Sequence, residues 1–430
     1  MEASGRFEFA RRAGLIVVLG VTFLLGLSVF TSQFGQPFEN QDNPAMWKGT
    51  SPAGLLSAGL AASASATLLY VSSYAGTVTT LNLRLPSRNA TATLETISTS
   101  TGCGGSPSWL TLDYSKTFLF CADEGLTEQT GGLASFLTNP NGTLTPLTRL
   151  DVLLGPVSLA DSGSGVSAVE VTPEGGLILV QNETYTLAQP GPDPSRQDAP
   201  HPHEAILDPT GAYILVPDLG ADLVRVFQAD ADNLTLTPVA PLVAAPGSGP
   251  RHGVFLTVVD KTYFYLVSEL ANTITGYEVV YNANETLGFA ELFVIPTHDD
   301  DRPLPDGTGA AEIRLSPDEK FLIVSSRWEY SIDIPNYDPT NSTAIASDPL
   351  ISYAIDRQTG SLAKVQEFAA GGTGPRQFSI NGGGDLIAVG LQGDGRVVVI
   401  GRDVATGLLK DYVAFADVEG EVTAVVFDED

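Results

Sequence analysis

One pattern recurs along most of this chain and restricts the folds open to it: an alternating strand, a turn rich in Asp, Pro, Gly or Asn, then a strongly apolar strand. SWLTLDYSKTFLFCAD begins at Ser108, SAVEVTPEGGLILVQN at Ser167 and HEAILDPTGAYILVPD at His203. HGVFLTVVDKTYFYLVSE begins at His252, AEIRLSPDEKFLIVSSR at Ala311 and RQFSINGGGDLIAVGL at Arg376. A further copy is LLYVSSYAGTVTTLNL from Leu68, and EVTAVVFDED at the C-terminus is free to pair with it. Short strands separated by turn residues at irregular spacing predict an all-β protein, and closure of first copy on last removes exposed sheet edges. The reading is a seven-bladed β-propeller over residues 67–430. A parallel β-helix would repeat at a shorter and steadier interval.

The chain has 44 glycines, 28 prolines and 17% charged residues, a composition for many tight turns around an ample core. A net charge of -28 repels phosphate backbones and anionic lipid, which argues against a nucleic-acid partner. An anionic ligand therefore needs a local cluster of arginines.

Before the repeats, GLIVVLGVTFLLGLSVF runs from Gly14 to Phe30 without a charge, behind Arg6, Arg11 and Arg12. This is a targeting segment over residues 1–30, either a cleaved signal or a retained anchor, with a linker at 31–66. Both forms place the domain outside the cytosol, secreted or at the cell surface, with membrane contact only through this segment. Asn89, Asn141, Asn182, Asn233, Asn284 and Asn341 each open an N-x-Ser/Thr sequon, and Cys103 and Cys121 are candidates for one disulfide. Two separate buried thiols are the alternative.

In a propeller the start of the first strand and the end of the second share one mouth of the central channel. Register then brings together His203, Arg251 and Arg376 with Asp123, Asp218, Glu269 and Arg327. Arginines bind oxyanions bidentately, histidine exchanges a proton near neutrality and a carboxylate can serve as base, so the set fits a small anionic substrate. The bland alternative has each arginine pairing locally to lock neighbouring blades. His201, His203, Glu204 and His252 lack an established zinc spacing, and no metal or cofactor is expected. Asp299, Asp300, Asp301 and Asp306 read as an exposed loop sooner than a calcium site. No G-x-S-x-G elbow, Walker loop or dinucleotide fingerprint occurs.

HPHEAILDPTGAYILVPDLGADLVRVF, from His201 to Phe227, closely resembles the core signature of the seven-bladed lactonase family. GPRHGVF at Gly249, LVSEL at Leu266, LSPDEKFLIVSSR at Leu315 and GPRQFSI at Gly374 are similar to its later blades. That family includes bacterial-type 6-phosphogluconolactonase and the fungal carboxy-cis,cis-muconate cyclase, and the resemblance is to a secreted, fungal-like member. The active site of the cyclase branch implies His203, Arg251, Arg327 and Glu269 as catalytic residues; Arg376, from register, is an added substrate contact. The two arginines would hold substrate carboxylates while His203 and Glu269 handle the proton, or Glu269 would activate water in lactone hydrolysis. Export sits apart from those intracellular activities, so an exported lactonase and a non-catalytic surface glycoprotein that binds a partner both stand. Oligomeric state is open.

Overall fold

The computed structural model describes residues 66–86, 91–126, 130–153, 165–282, 286–298 and 302–429, together with the backbone of 14–19 and 23–26. Every regular element among them is a strand, and the strands form an all-β propeller. Five of the sheets formed by the described residues have four antiparallel strands each, taken in chain order. Counting outward from the channel, one runs Pro250–Val258, Lys261–Ser268, Thr273–Tyr281 and Leu287–Pro296. Another closes the ring: the C-terminal strand Val422–Asp428 is innermost and pairs with Ala66–Ser73, which continues to Thr77–Arg84 and Thr93–Ser100. The two ends of the domain thus share a sheet and leave no open edge there.

The recurring turn residue has a mechanical role. Asp113, Asp208 and Asn381 accept the backbone N–H five residues on, at 2.7, 2.7 and 2.9 Å from Phe118, Tyr213 and Leu386. Ser316 does the same for Phe321 through its hydroxyl at 3.0 Å. Each side chain holds the first and second strands of its sheet together at the outer turn, which is why short polar residues recur there.

Neighbouring sheets pack face to face. Leu215 and Val226 of one meet Phe264, Leu266 and Tyr277 of the next, all buried. Burying each such side chain contributes about 1.5–3 kcal/mol. Gly253 is required by this packing, because a Cβ there would lie 2.6 Å from the Phe264 ring.

The copy beginning at Ser167 differs from the expectation. Gly165–Val171 and Leu177–Thr184 are the outer pair of their sheet, with Leu177–Thr184 beside the outermost strands Leu144–Val152 and Thr235–Val243. The inner places are taken by Gly14–Leu19, which pairs antiparallel with Gly165–Val171, and by Phe23–Gly26. Phe23–Gly26 neighbours the innermost strands Pro107–Leu112 and Ile206–Leu207. An outer hairpin with alternating apolar residues and a Thr-Pro-Glu-Gly turn looks like an inner one in sequence. The difference is in the turn, where Thr172 Oγ1 accepts from Gly176 N rather than from a residue five on.

The rest of the expected targeting segment and linker, residues 1–13, 20–22 and 27–65, lies outside the described residues, as do Asn89, Asn284 and Asp299, Asp300 and Asp301. Among the described residues no helix is long and apolar enough to cross a membrane. Cys103 and Cys121 are joined as a disulfide with Cα atoms 5.8 Å apart. Asn141, Asn182, Asn233 and Asn341 are exposed.

Candidate active site

The innermost strands lose register at one level near the mouth of the channel. Shifts fall between Pro107 and Trp109, Pro250 and His252, Ala310 and Ile313, and Pro375 and Gln377. The extra residues include Ser108, Arg251, Glu312 and Arg376. A bulge re-aims the side chain it inserts, so this feature presents Arg251 and Arg376 at the mouth. His203 precedes its strand; its N–H donates to Pro217 O at 2.9 Å, and Pro202 bridges to Asp218.

Glu269, one residue past Lys261–Ser268, is the hub. Its Oε2 lies 2.8 Å from Arg251 Nε and 2.9 Å from Arg327 Nη2, and its Oε1 pairs with Arg196. The Glu269 side chain is 4% exposed and those of Arg251 and Arg327 are 2% and 10% exposed. Gly309 makes room, because a Cβ there would meet Glu269 Cγ at 2.9 Å. Burial by itself would raise the Glu269 carboxyl, but Arg327, Arg196 and Arg251 outweigh it and hold that carboxyl well below the usual range.

His203 is in the opposite state. Burial, Arg251 and His252 push its imidazole well below the ordinary value, against the pull of Glu269, so it is neutral at physiological pH. Its Nδ1 lies 3.0 Å from His252 Nε2.

Across the mouth, Arg376 Nη2 pairs with Glu124 at 2.8 Å, and the Tyr74 hydroxyl donates to the other oxygen of Glu124 at 2.8 Å. Arg376 and Glu269 still feel each other's charge. Four guanidiniums against the carboxylates of Glu269 and Glu124 make this mouth positive in a strongly acidic protein. Such a mouth attracts and orients a small anion.

The structure therefore brings His203, Arg251, Glu269 and Arg327 together and sets Arg376 opposite. Asp123 and Asp218, expected at the same rim, are held by local arginines: Asp123 by Arg149 at 2.9 Å and Asp218 by Arg225 at 2.7 Å. They lock their own sheets. His201 pairs with Asp198 at 3.1 Å. Sequence reasoning missed Arg196, Glu124 and Tyr74. Arg196 stands in the irregular stretch ahead of HPHE, where strand register says nothing about direction.

Beneath the mouth, Glu204, His252 and Glu312 place ligand-type atoms within 4.8 Å of one another. Arg314 already supplies positive charge there, 3.6 Å from Glu204 and 3.3 Å from Glu312, and Gly253 N donates to Glu204 at 2.8 Å. The set is compensated by the protein's own groups.

Comparison with known proteins identifies the family. The family model "Lactonase, 7-bladed beta-propeller" matches residues 68–427. A probable 6-phosphogluconolactonase of Arthroderma benhamiae is 32% identical over 371 residues, covering 83% of this chain and 86% of that protein. The 6-phosphogluconolactonase of Bacillus subtilis is 26% identical over 318 residues, covering 71% and 82%. Among solved structures, the periplasmic gluconolactonase of Pseudomonas aeruginosa superposes with a TM-score of 0.67 at 22% identity, covering 84% of this chain and 99% of that one. A putative 6-phosphogluconolactonase of Bacteroides fragilis gives 0.68 at 22% identity, covering 85% and 98%. With the repeats, the ring closed by both chain ends and a family match across nearly the whole folded region, this chain belongs to the lactonase β-propeller family.

Proposed function

We propose that the protein is a lactone hydrolase of the 6-phosphogluconolactonase type, acting on a small anionic or sugar-derived lactone. The observation that carries this reading is a neutral, buried His203 in the charge field of guanidiniums gathered on one ionised carboxylate. The arginines bind the anionic group of the substrate and stabilise the oxyanion that develops on the lactone carbonyl.

Glu269, held ionised by three arginines, is too weak a base to activate water efficiently; its task is to hold Arg251 and Arg327 in place. His203 is the better base. Its Nε2 takes a proton from water as the oxygen attacks the carbonyl, and collapse of the tetrahedral adduct breaks the ring C–O bond. The departing ring oxygen then receives that proton, and the product is the open hydroxy acid. An anionic substrate also neutralises the arginine charge that depresses His203, so its basicity rises when substrate is bound.

The test is hydrolysis by the purified protein of 6-phosphogluconolactone, gluconolactone and a carboxymuconate lactone, beside His203→Asn and Arg196→Ala. Preferential turnover of the phosphorylated lactone, lost in His203→Asn and with a raised KM in Arg196→Ala, supports the reading. No turnover of any of them by folded protein moves the function to binding.

We also read the ring as seven-bladed and the domain as exported. The family description and the seventh sheet, shared between the N-terminal strands and Gly165–Thr184, support seven blades. Exposed sequons and the Cys103–Cys121 pair support export. Because Gly14–Leu19 cannot cross a bilayer and pair with Gly165–Val171 at once, N-terminal sequencing of the mature protein separates a cleaved signal from a retained strand.

A further inference from the structure

We propose that Glu312 and His252 form, with His203, a buried relay that fixes His203 as the Nδ1–H tautomer and leaves its Nε2 as the base of the reaction. The inference rests on the hydrolase reading for its chemistry, but the relay itself is a matter of geometry. Three residues from three neighbouring sheets line up. Glu312 Oε1 lies 3.0 Å from His252 Nδ1, and His252 Nε2 lies 3.0 Å from His203 Nδ1. All three are buried, with His252 and Glu312 fully so.

Such a chain can run in either direction, and which one it takes follows from neighbours that can only donate. Ile313 N donates to Glu312 Oε1 at 2.9 Å, and Arg314 Nη2 to Glu312 Oε2 at 3.3 Å. Glu312 is therefore an acceptor at both oxygens, and the proton between it and His252 sits on Nδ1. At the other edge of the ring, Arg251 Nη1 approaches His252 Nε2 at 3.4 Å, a position in which it too can only donate. His252 Nε2 is thus an acceptor, which makes His203 Nδ1 the donor. Both ends of the chain require the same order, carboxylate to imidazole to imidazole.

The remaining surroundings agree. Glu204 shares Arg314 with Glu312 but receives a single backbone donor, from Gly253. Burial raises both carboxyls. The proton that the pair keeps therefore sits on Glu204, which leaves Glu312 ionised. Trp109 packs perpendicular to the His252 ring at 5.5 Å between centroids and limits its rotation. A carboxylate at the far end of a relay stabilises positive charge that develops on the near imidazole as it takes a proton, without itself touching substrate. Glu312 and His252 are positioning residues.

The test is nitrogen NMR of the histidine rings in the full chain, which has four histidines. His201→Asn and His298→Asn assign the other two rings. The expected spectrum has His203 and His252 neutral, each protonated at Nδ1, with an unprotonated Nε2 on His203. In the near-isosteric Glu312→Gln, mixed tautomers appear on His252 and kcat for lactone hydrolysis falls roughly 10- to 100-fold with KM unchanged, while Glu312→Asp recovers part of the rate. Finding either wild-type ring protonated at Nε2, or both tautomers unchanged in Glu312→Gln, overturns the relay. Absence of lactone turnover by the wild type alongside the expected ring pattern would instead overturn the hydrolase reading and leave the relay in place.

Discussion

Arg327 Nη2 lies 2.9 Å from Glu269 Oε2, joining the ends of the second strands of two adjacent sheets in a nearly dry pair. The pair spans a seam between blades and also sets the field of the mouth, so stability and chemistry are coupled at one carboxylate.

Glu269→Gln should show both consequences. Removing the carboxylate leaves the buried guanidiniums of Arg251 and Arg327 uncompensated, a change that costs about 3–5 kcal/mol when one partner of a buried pair is lost. Arg196 adds little to this, because its side chain is 46% exposed. Urea unfolding should report the loss, and lactone turnover should fall at least about 100-fold as the arginines lose their orientation.

Gly309→Ala separates position from charge. The new methyl would stand 2.9 Å from Glu269 Cγ and 3.5 Å from Arg327 Nη2, so the carboxylate must shift while every charge is retained. Turnover should drop about 10-fold or more while the far-ultraviolet circular dichroism spectrum stays that of the wild type.

Stability should respond to pH in two opposed senses. His203 and His252 have folded values well below the ordinary 6.5, so the unfolded chain takes up more protons below that pH and stability falls as acid is added. Glu204 acts in the other sense: burial pushes it up to about 8, so the folded chain holds a proton that the unfolded chain has released. That contribution is fully present below the ordinary carboxylate value and declines as pH rises to about 8. Glu124, also raised by burial, acts in the same sense as Glu204. Thermal denaturation from pH 5 to 9 measures the balance between the two, and His252→Asn should lessen the loss on the acid side.

Deleting residues 1–30 should weaken the sheet that contains Gly165–Val171. Without Gly14–Leu19 the inner edge of that strand loses its backbone partners. The shortened chain should melt at a lower temperature than the full chain and self-associate with rising concentration in light scattering.

Much of the site was legible in advance because propeller geometry converts register into position. Arg251 and Arg376 flank the same level of their copies, and Glu269 and Arg327 end their second strands, so a one-dimensional alignment places them at one rim. The same rule also put Asp123 and Asp218 there, and it could not see that Arg149, on the outermost strand of the same sheet, and Arg225, on the adjoining strand, claim them. It stopped one residue short of Glu124, which follows Phe118–Asp123 as Glu269 follows Lys261–Ser268, and it had no purchase on Arg196, which comes from irregular chain, or on Tyr74, which donates to Glu124 from the neighbouring sheet.

By itself the amino-acid sequence determined the all-β propeller, the closure of first copy on last and the residue types at the mouth, because strand alternation and turn chemistry are local properties. Only the tertiary structure decided that the apolar stretch at Gly14 pairs inside a sheet, that the Ser167 copy is an outer hairpin and that Glu312 reaches His203 through His252. Those outcomes depend on which strand edges and which buried donors meet across the ring, and partners 49 and 60 residues apart leave no periodic mark in the chain.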